Sequence, residues 1–270
     1  MCACFFYYLD NDMTSEKSAR IIVVVNQKGG VGKTTTAINL ASFLSEEGQK
    51  VLLVDLDPQA NATSGVGMDQ SQIGKNVYHL LIDDQDIEDV LYPTAFENLH
   101  IIPSSSDLAG AEIEMVDIVS RETLLRRRME VFREFYDYVI IDCPPSLGLL
   151  TLNALVAADR ALIPAQCEYF ALEGIAGLLK TLAQIKESLN PRLEIAGIVL
   201  TMYDRRTSLN RQVIENTKKH FRELVFETVI PRNIRLTEAP SHGLPIALYN
   251  PKSKGAEAYC SLAKEVIQRV

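Results

Sequence analysis

Residues 26–35 read NQKGGVGKTT, from Asn26 to Thr35. The ending Gly32-Lys33-Thr34 is that of the phosphate loop G-x-x-x-x-G-K-[ST], although Gln27 stands where the first glycine belongs. Gly29, Gly30 and Gly32 allow successive backbone N–H groups to turn into one concavity. A helix N-terminus behind that concavity completes an anion site. In this reading Lys33 reaches the β- and γ-phosphates and the Thr34 hydroxyl ligates Mg²⁺, while the backbone around Val31 and Thr35 closes the cradle. The flanks agree. Ile21–Val25 is a short β-branched run, expected to be a buried parallel strand. After the loop, Ala37, Leu40, Ala41 and Leu44 share one face of a helix predicted over Thr34–Glu47, with Gly48 as its C-terminal cap.

Outward from this unit, strands are predicted at Val51–Val54, Leu99–Ile102, Tyr138–Ile141, Ala161–Pro164, Ile195–Thr201 and Phe226–Ile230. Helices fit Ser106–Val116, Arg121–Phe135, Leu149–Ala157, Leu172–Ser188, Leu209–Leu224 and Ala256–Val270, with short pieces near Val77–Ile82 and Asp86–Leu91. Residues 58–75, rich in Gly, Asn, Gln and Ser, read as a loop. Strands alternating with helices imply an α/β fold: a single doubly wound, mostly parallel sheet with helices on both faces, of the P-loop NTPase kind. Binding is then expected at the carboxyl ends of the strands.

Two carboxyl-bearing segments end such strands. Residues 51–61 read VLLVDLDPQAN, so Asp55 and Asp57 follow a strand, where one carboxylate can serve the Mg²⁺ shell and another orient water. Residues 138–146 read YVIIDCPPS, a hydrophobic strand ending in an acid, which suits Asp142 to hold Mg²⁺ through water. Pro144 and Pro145 stiffen the loop that follows. The bland alternatives are turn-forming or capping aspartates, but three elements in the right order are far more specific than any one alone.

Lys28 is a second lysine directly before the glycines, giving KGGVGKT. This resembles the deviant Walker A ATPases, the group of the ParA/Soj and MinD partition and positioning proteins and the nitrogenase iron protein. The segments VLLVDLDPQANATSG, YVIIDCPPSLGLLTLNAL, VLTMYDRRTSLNRQV, VIPRNIRLTEAPSHGLPI and PKSKGAEAYCSLAKEV extend the likeness from about residue 20 to the C-terminus, and look closest to chromosomal Soj-type ParA proteins. The resemblance implies an Mg²⁺-dependent ATPase and an ATP-dependent homodimer in which Lys28 reaches the other subunit's phosphates. It gives the hydrolysis role, beside Mg²⁺, to Asp57 and leaves Asp55 near the Mg²⁺ shell or its water. It assigns Pro231 and Asn233 to the adenine pocket. It also implies a ParB/Spo0J-type partner that stimulates hydrolysis, and non-specific double-stranded DNA bound by Arg206 and Arg235. Arg205, Arg211, Lys218, Lys219, Lys252 and Lys254 would extend that patch, in a cytoplasmic, nucleoid-associated protein.

Charge bears on the DNA expectation. The 270-residue chain carries a net charge of −8, which alone argues against nucleic acid. The distribution is uneven: residues 201–254 hold ten Lys/Arg against five Asp/Glu, while the remainder holds 17 against 30. That asymmetry points to an anionic partner at one surface. Rival readings have weaker support. A membrane-cycling ATPase like MinD needs an amphipathic C-terminal extension, whereas the last helix has the pattern of a packing helix. An electron-transfer ATPase needs cysteines placed to share a cluster, and Cys143, Cys167 and Cys260 read as reduced, inert thiols. A scaffold that binds ATP without turnover fits poorly with Asp57 and Asp142 in place. The opening MCACFFYY, with Cys2 and Cys4, lacks the basic lead-in of a signal peptide. Residues 1–19 are read as a disordered or mis-called extension, with Met13 the alternative start, and 20–270 as the ATPase domain.

Overall fold

The fold was analysed in a computed structural model, which describes residues 18–83, 85, 87–168 and 170–270. Its strands are β1 (Arg20–Val24), β2 (Val51–Asp55), β3 (Tyr92–Pro93), β4 (Leu99–Ile102), β5 (Tyr138–Asp142), β6 (Arg160–Gln166), β7 (Glu194–Tyr203) and β8 (Val225–Pro231). Among the described residues the helices are α1 (Lys33–Glu46), α2 (Asn61–Gly65), α3 (Val77–Ile82), α4 (Ile87–Val90), α5 (Leu108–Glu114) and α6 (Leu124–Phe132). They continue with α7 (Leu149–Ala157), α8 (Ala171–Ser188), α9 (Ser208–Phe221), α10 (Ile234–Glu238), α11 (Ile246–Tyr249) and α12 (Lys254–Arg269).

The strands form one sheet in the order β3-β4-β2-β5-β1-β6-β7-β8. Every neighbouring pair is parallel except β3 with β4. In β1, Ile21 and Val23 enter one core layer while Ile22 and Val24 enter the other. A strand covered on both faces needs apolar side chains at every position, which is why these strands read as continuous runs rather than alternations. On one face, Ala37, Leu40 and Leu44 of α1 share a core with Tyr259, Leu262 and Val266 of α12. Helices α3 and α5 to α8 fill the other layer.

The expected α/β, mostly parallel architecture is therefore present. Ala19 belongs to the fold, since its N–H donates to the Arg133 carbonyl and its own carbonyl accepts from the Arg133 guanidinium, both at 2.8 Å. The sequence reading placed that residue in the extension. Residues 1–17, and with them Cys2, Cys4 and Met13, lie outside the described residues, as does Asp86 at the head of one predicted helix. The segment expected to be a loop over 58–75 contains α2 and a 3₁₀ turn at Gln70–Gln72. The short edge strand β3 and the helices α10 and α11 were not read from the sequence.

Candidate functional site

The loop between β1 and α1 is built as its glycines require. Gly30 and Gly32 have φ of +73° and +89°, and a Cβ built at either would meet no atom within 4 Å. Side chains from the neighbouring strands hold the loop's carbonyls. Gln166 Nε2 donates to Gly30 O at 2.8 Å, and the Thr201 hydroxyl donates to Val31 O at 2.9 Å. At its start, Asn26 donates to Pro164 O at 2.7 Å and accepts from the Lys28 N–H at 3.0 Å. The first-turn N–H groups of α1 have no intrahelical acceptor, so they are left to an anion. Lys33 opens that turn. It is only 7% exposed, and its ammonium donates to Lys28 O at 3.3 Å. Burial pushes its pKa down, against the pull of Asp142, Cys143 and Asp57. A buried cation in that position calls for an anionic partner.

Asp55 and Asp142 end neighbouring strands in direct register, and both are fully buried. Asp55 is satisfied within the chain: Oδ2 accepts from both Thr63 N–H and Thr63 Oγ1 at 2.7 Å, and Oδ1 accepts from Asp57 N–H at 3.2 Å. Burial still raises its pKa to about 6. Its bonds to Thr63 and Asp57 hold the loop that follows β2. Asp142 is the opposite case, because neither carboxylate oxygen has a hydrogen-bond partner among the described residues. Burial, and then the charge of Asp55, hold its pKa well above the usual range; the Thr34 hydroxyl lies near enough to favour its charged form but outside hydrogen-bonding geometry. An orphaned buried carboxylate beside a threonine hydroxyl fits a hard divalent cation completed by water and phosphate oxygens. Among the described residues no group of three or more His, Cys, Asp or Glu side chains is arranged to hold a metal by itself.

These groups border one cavity of about 750 Å³, a size suited to a nucleotide. Gly29, Gly30, Gly32, Lys33, Thr34 and Thr35 line it, with Asp57 on one side and Pro231 and Asn233 on another. Asn233 caps α10, its Oδ1 accepting from Arg235 N–H at 2.8 Å. Its amide orientation is fixed by that bond, so its NH₂ group is left to donate elsewhere. Val31 is buried behind the loop. Lys28 is not part of the cavity wall. Its half-exposed ammonium forms an ion pair with Glu168, whose side chain is equally exposed.

The expected DNA-contact residues divide between two edges of the sheet. Tyr203 and Pro231, the last residues of β7 and β8, stand in register, and Arg232 N–H donates to Tyr203 O at 2.9 Å. The segments carrying Arg205, Arg206 and, in α10, Arg235 therefore leave the sheet together, at the edge that holds the phosphate loop. Arg206 grips Asp204 in a bidentate pair, with Nε to Oδ1 at 3.0 Å and the terminal nitrogen to Oδ2 at 2.7 Å, while its side chain is 84% exposed. Arg235 pairs with Glu238 at 2.7 Å. Arg211, Lys219, Lys252 and Lys254 are exposed. Lys218 is paired with Glu227 near the start of β8, so it sits toward the opposite edge and does not join Arg206. Cys143 and Cys167 are buried free thiols and Cys260 is half-buried; burial drives the Cys143 thiol pKa up, and raises that of Cys167 to about 12. Cys143 and Cys167 are therefore poor nucleophiles and ligands at neutral pH.

The sequence reading missed Thr63, Gln166, Thr201 and Tyr259. Tyr259 lines the cavity from α12 and shares a 3.1 Å hydroxyl contact with Thr36. Nothing local distinguishes Thr63 and Tyr259 in the sequence, since Thr63 meets Ser104 and Tyr259 meets Thr36 only in the fold. A polar residue closing an otherwise apolar strand was the one available signal, for Gln166 and Thr201.

Known proteins share this geometry and much of the sequence behind it. The family model described as an AAA domain matches residues 19–195. The chain is 57% identical over 247 residues to the sporulation initiation inhibitor protein Soj of Bacillus subtilis, covering 92% of this chain and 98% of that one. It is 52% identical over 250 residues to the chromosome partitioning protein ParA of Myxococcus xanthus, covering 93% and 88%. Among solved structures, cobyrinic acid a,c-diamide synthase from Mycobacterium smegmatis with bound ADP and magnesium aligns with a TM-score of 0.80 at 38% identity, covering 93% of this chain and 94% of that one.

Proposed function

The chain belongs to the Soj/ParA family of chromosome-partitioning ATPases, and we propose that it works as an ATP-switched dimer that carries its cargo along DNA. The observation that carries the dimer is the position of Lys28. Gly29, Gly30 and Gly32 to Thr35 border their own cavity, yet Lys28, one residue before Gly29, stands outside it with its ammonium half-exposed and, among the described residues, paired only with Glu168. An exposed ion pair of this kind contributes little and exchanges readily. A triphosphate presented by a second copy is a stronger partner for that lysine.

Within each protomer the loop N–H groups and Lys33 bind the phosphates, and Pro231 and Asn233 border the base. Asp142 and Thr34 are the residues that would hold Mg²⁺; when bound, the ion supplies charge neutralisation of the β- and γ-phosphate oxygens. Asp57 faces the same cavity and orients the attacking water. Arg206 and Arg235 meet DNA phosphates without reading sequence, and pairing two protomers doubles that surface, so nucleotide binding raises DNA affinity through avidity. Hydrolysis, stimulated by a ParB-type partner, returns monomers that leave the DNA. This cycle would keep the ATP form on the nucleoid. The membrane-cycling alternative has less support. Tyr259, Leu262, Ala263 and Val266 of α12 are buried against the core, and among the described residues no helix is long and apolar enough to cross a membrane.

The test is fluorescence anisotropy with a labelled random-sequence duplex. Mg²⁺–ATP is expected to promote binding and ADP to abolish it, with Lys33→Ala and Arg206→Ala each losing about tenfold or more in affinity. Binding that ignores nucleotide, and survives both substitutions, would contradict the proposal.

A further inference from the structure

The turn that carries Asp57 is held from behind by a residue that no motif singles out. Thr63, fully buried in α2, makes three bonds. Its N–H and its hydroxyl both donate to Asp55 Oδ2 at 2.7 Å, and its Oγ1 accepts from Ser104 N–H at 2.9 Å. One side chain therefore ties the end of β2 to the segment after β4, across 41 residues of sequence. The same Asp55 carboxylate reaches the turn itself through Asp57 N–H. Asp57 in turn accepts from Gln59 N–H at 2.9 Å, and its carbonyl accepts from Ala60 N–H at 2.9 Å.

Between these anchors the backbone is in an unfavourable state. Ala60 has φ of +53°, a left-handed conformation that side-chain-bearing residues avoid. Such a conformation persists only where its surroundings over-determine it. Here the determinants are the bonds of Thr63 and Asp55 on one side and the Asp57 cap on the other. Without the Thr63 hydroxyl, Asp55 loses one of its donors and Ser104 N–H loses its acceptor. With only two backbone N–H donors left on Asp55, the turn is held less tightly and Asp57 can shift with it.

We propose that Thr63, acting through Asp55 and Ser104, is a positioning residue for ATP hydrolysis: it fixes the strained turn that aims Asp57 into the nucleotide cavity. The inference rests on the assignment of hydrolysis to Asp57. Thr63 does not line the cavity, so nucleotide affinity is left to the phosphate loop and the 231–240 wall. Displacing a water-orienting carboxylate by a fraction of an ångström to an ångström lowers the rate of the chemical step without weakening substrate binding.

The experiment compares Thr63→Val, Thr63→Ala, Thr63→Ser and Asp57→Ala in the full chain. It reads steady-state kcat and KM for ATP, the affinity for a fluorescent ATP analogue, and the thermal melt. Thr63→Val removes the hydroxyl at nearly constant volume; Thr63→Ala provides a second route if that variant does not fold. The expected result is a kcat about tenfold or more below wild type for both, with KM and analogue affinity within about twofold. Thr63→Ser, which keeps the hydroxyl, should return kcat to within about threefold of wild type. A Thr63→Val or Thr63→Ala protein that is folded, binds nucleotide and turns over at the wild-type rate, while Asp57→Ala is inactive, overturns the positioning role alone. So does a parallel loss of affinity and rate that Thr63→Ser does not repair. Wild-type turnover in Asp57→Ala instead removes the assignment on which the inference rests.

Discussion

Asp55 and Asp142 share register, burial and chemistry, yet one is satisfied by donors of the chain and the other by none. The difference separates the roles proposed for them: Asp55 shapes a turn, and Asp142 would serve a bound cation. It also makes a prediction about pH. Both carboxyls are held above their ordinary values by burial, so the folded protein binds more protons than the unfolded chain once pH exceeds the ordinary value near 3.8. The contribution of these two groups to the stability of the nucleotide-free protein then falls as pH rises through that window and toward the raised folded values. For Asp142 the effect is removable. Asp142→Asn should flatten the fall in melting temperature as pH rises above the ordinary carboxylate range, and should be the more stable protein at the alkaline end. It should also lose the added stabilisation that Mg²⁺–ATP gives the wild type, a binding effect of about 2.7 kcal/mol at 100-fold excess over Kd. Parallel melting curves for the two proteins across that range would contradict this account of Asp142.

At the scale of elements, what the sequence made legible follows from how each piece is stabilised. The buried strands were readable because coverage on both faces enforces unbroken apolar runs such as IIVV and YVII. The phosphate loop was readable because its glycines are demanded by local backbone geometry. Helix α2 was not, since Asn61, Thr63, Ser64 and Gly65 are weak helix formers. It exists because Asp55 holds Thr63, and because Gly65 leaves room for Ile38, whose Cδ1 would lie 2.5 Å from a Cβ there. Helix α10 was also hidden, because it is only five residues long and its contact with the cavity is tertiary, even though its cap Asn233 is local. Two predictions belong here. Tyr259→Phe removes the hydroxyl shared between α12 and α1 and should cost about 1 kcal/mol in urea unfolding, without abolishing the fold. An unchanged unfolding midpoint would mean that the hydroxyl pair contributes nothing. Arg206→Ala or Arg235→Ala should reduce the slope of log affinity for DNA against log salt, by about 0.9 for each DNA phosphate that is no longer neutralised. Lys218→Ala, at the far edge and paired with Glu227, should leave that slope unchanged. Equal effects from Lys218 and Arg206 would contradict the placement of the DNA surface.

The whole molecule places phosphate loop, switch-like carboxylates and paired arginines at the carboxyl edge of one sheet, where open α/β sheets bind their ligands. In the proposed cycle, net negative charge over the rest of the chain would disfavour DNA at the remaining surface, so that association would depend on the arginines at the carboxyl edge. One protomer, however, leaves Lys28 outside its own cavity, and the cycle requires a second copy to use it. Light scattering coupled to size-exclusion chromatography reads that requirement directly. In saturating Mg²⁺–ATP, the Asp57→Ala protein, blocked in turnover, should elute at twice the mass of the 30.1 kDa chain. The Asp57→Ala/Lys28→Ala double variant should bind nucleotide equally well and remain monomeric. An Asp57→Ala protein that stays at one chain's mass while fully loaded with ATP would contradict the dimer clamp, and with it the proposed switch.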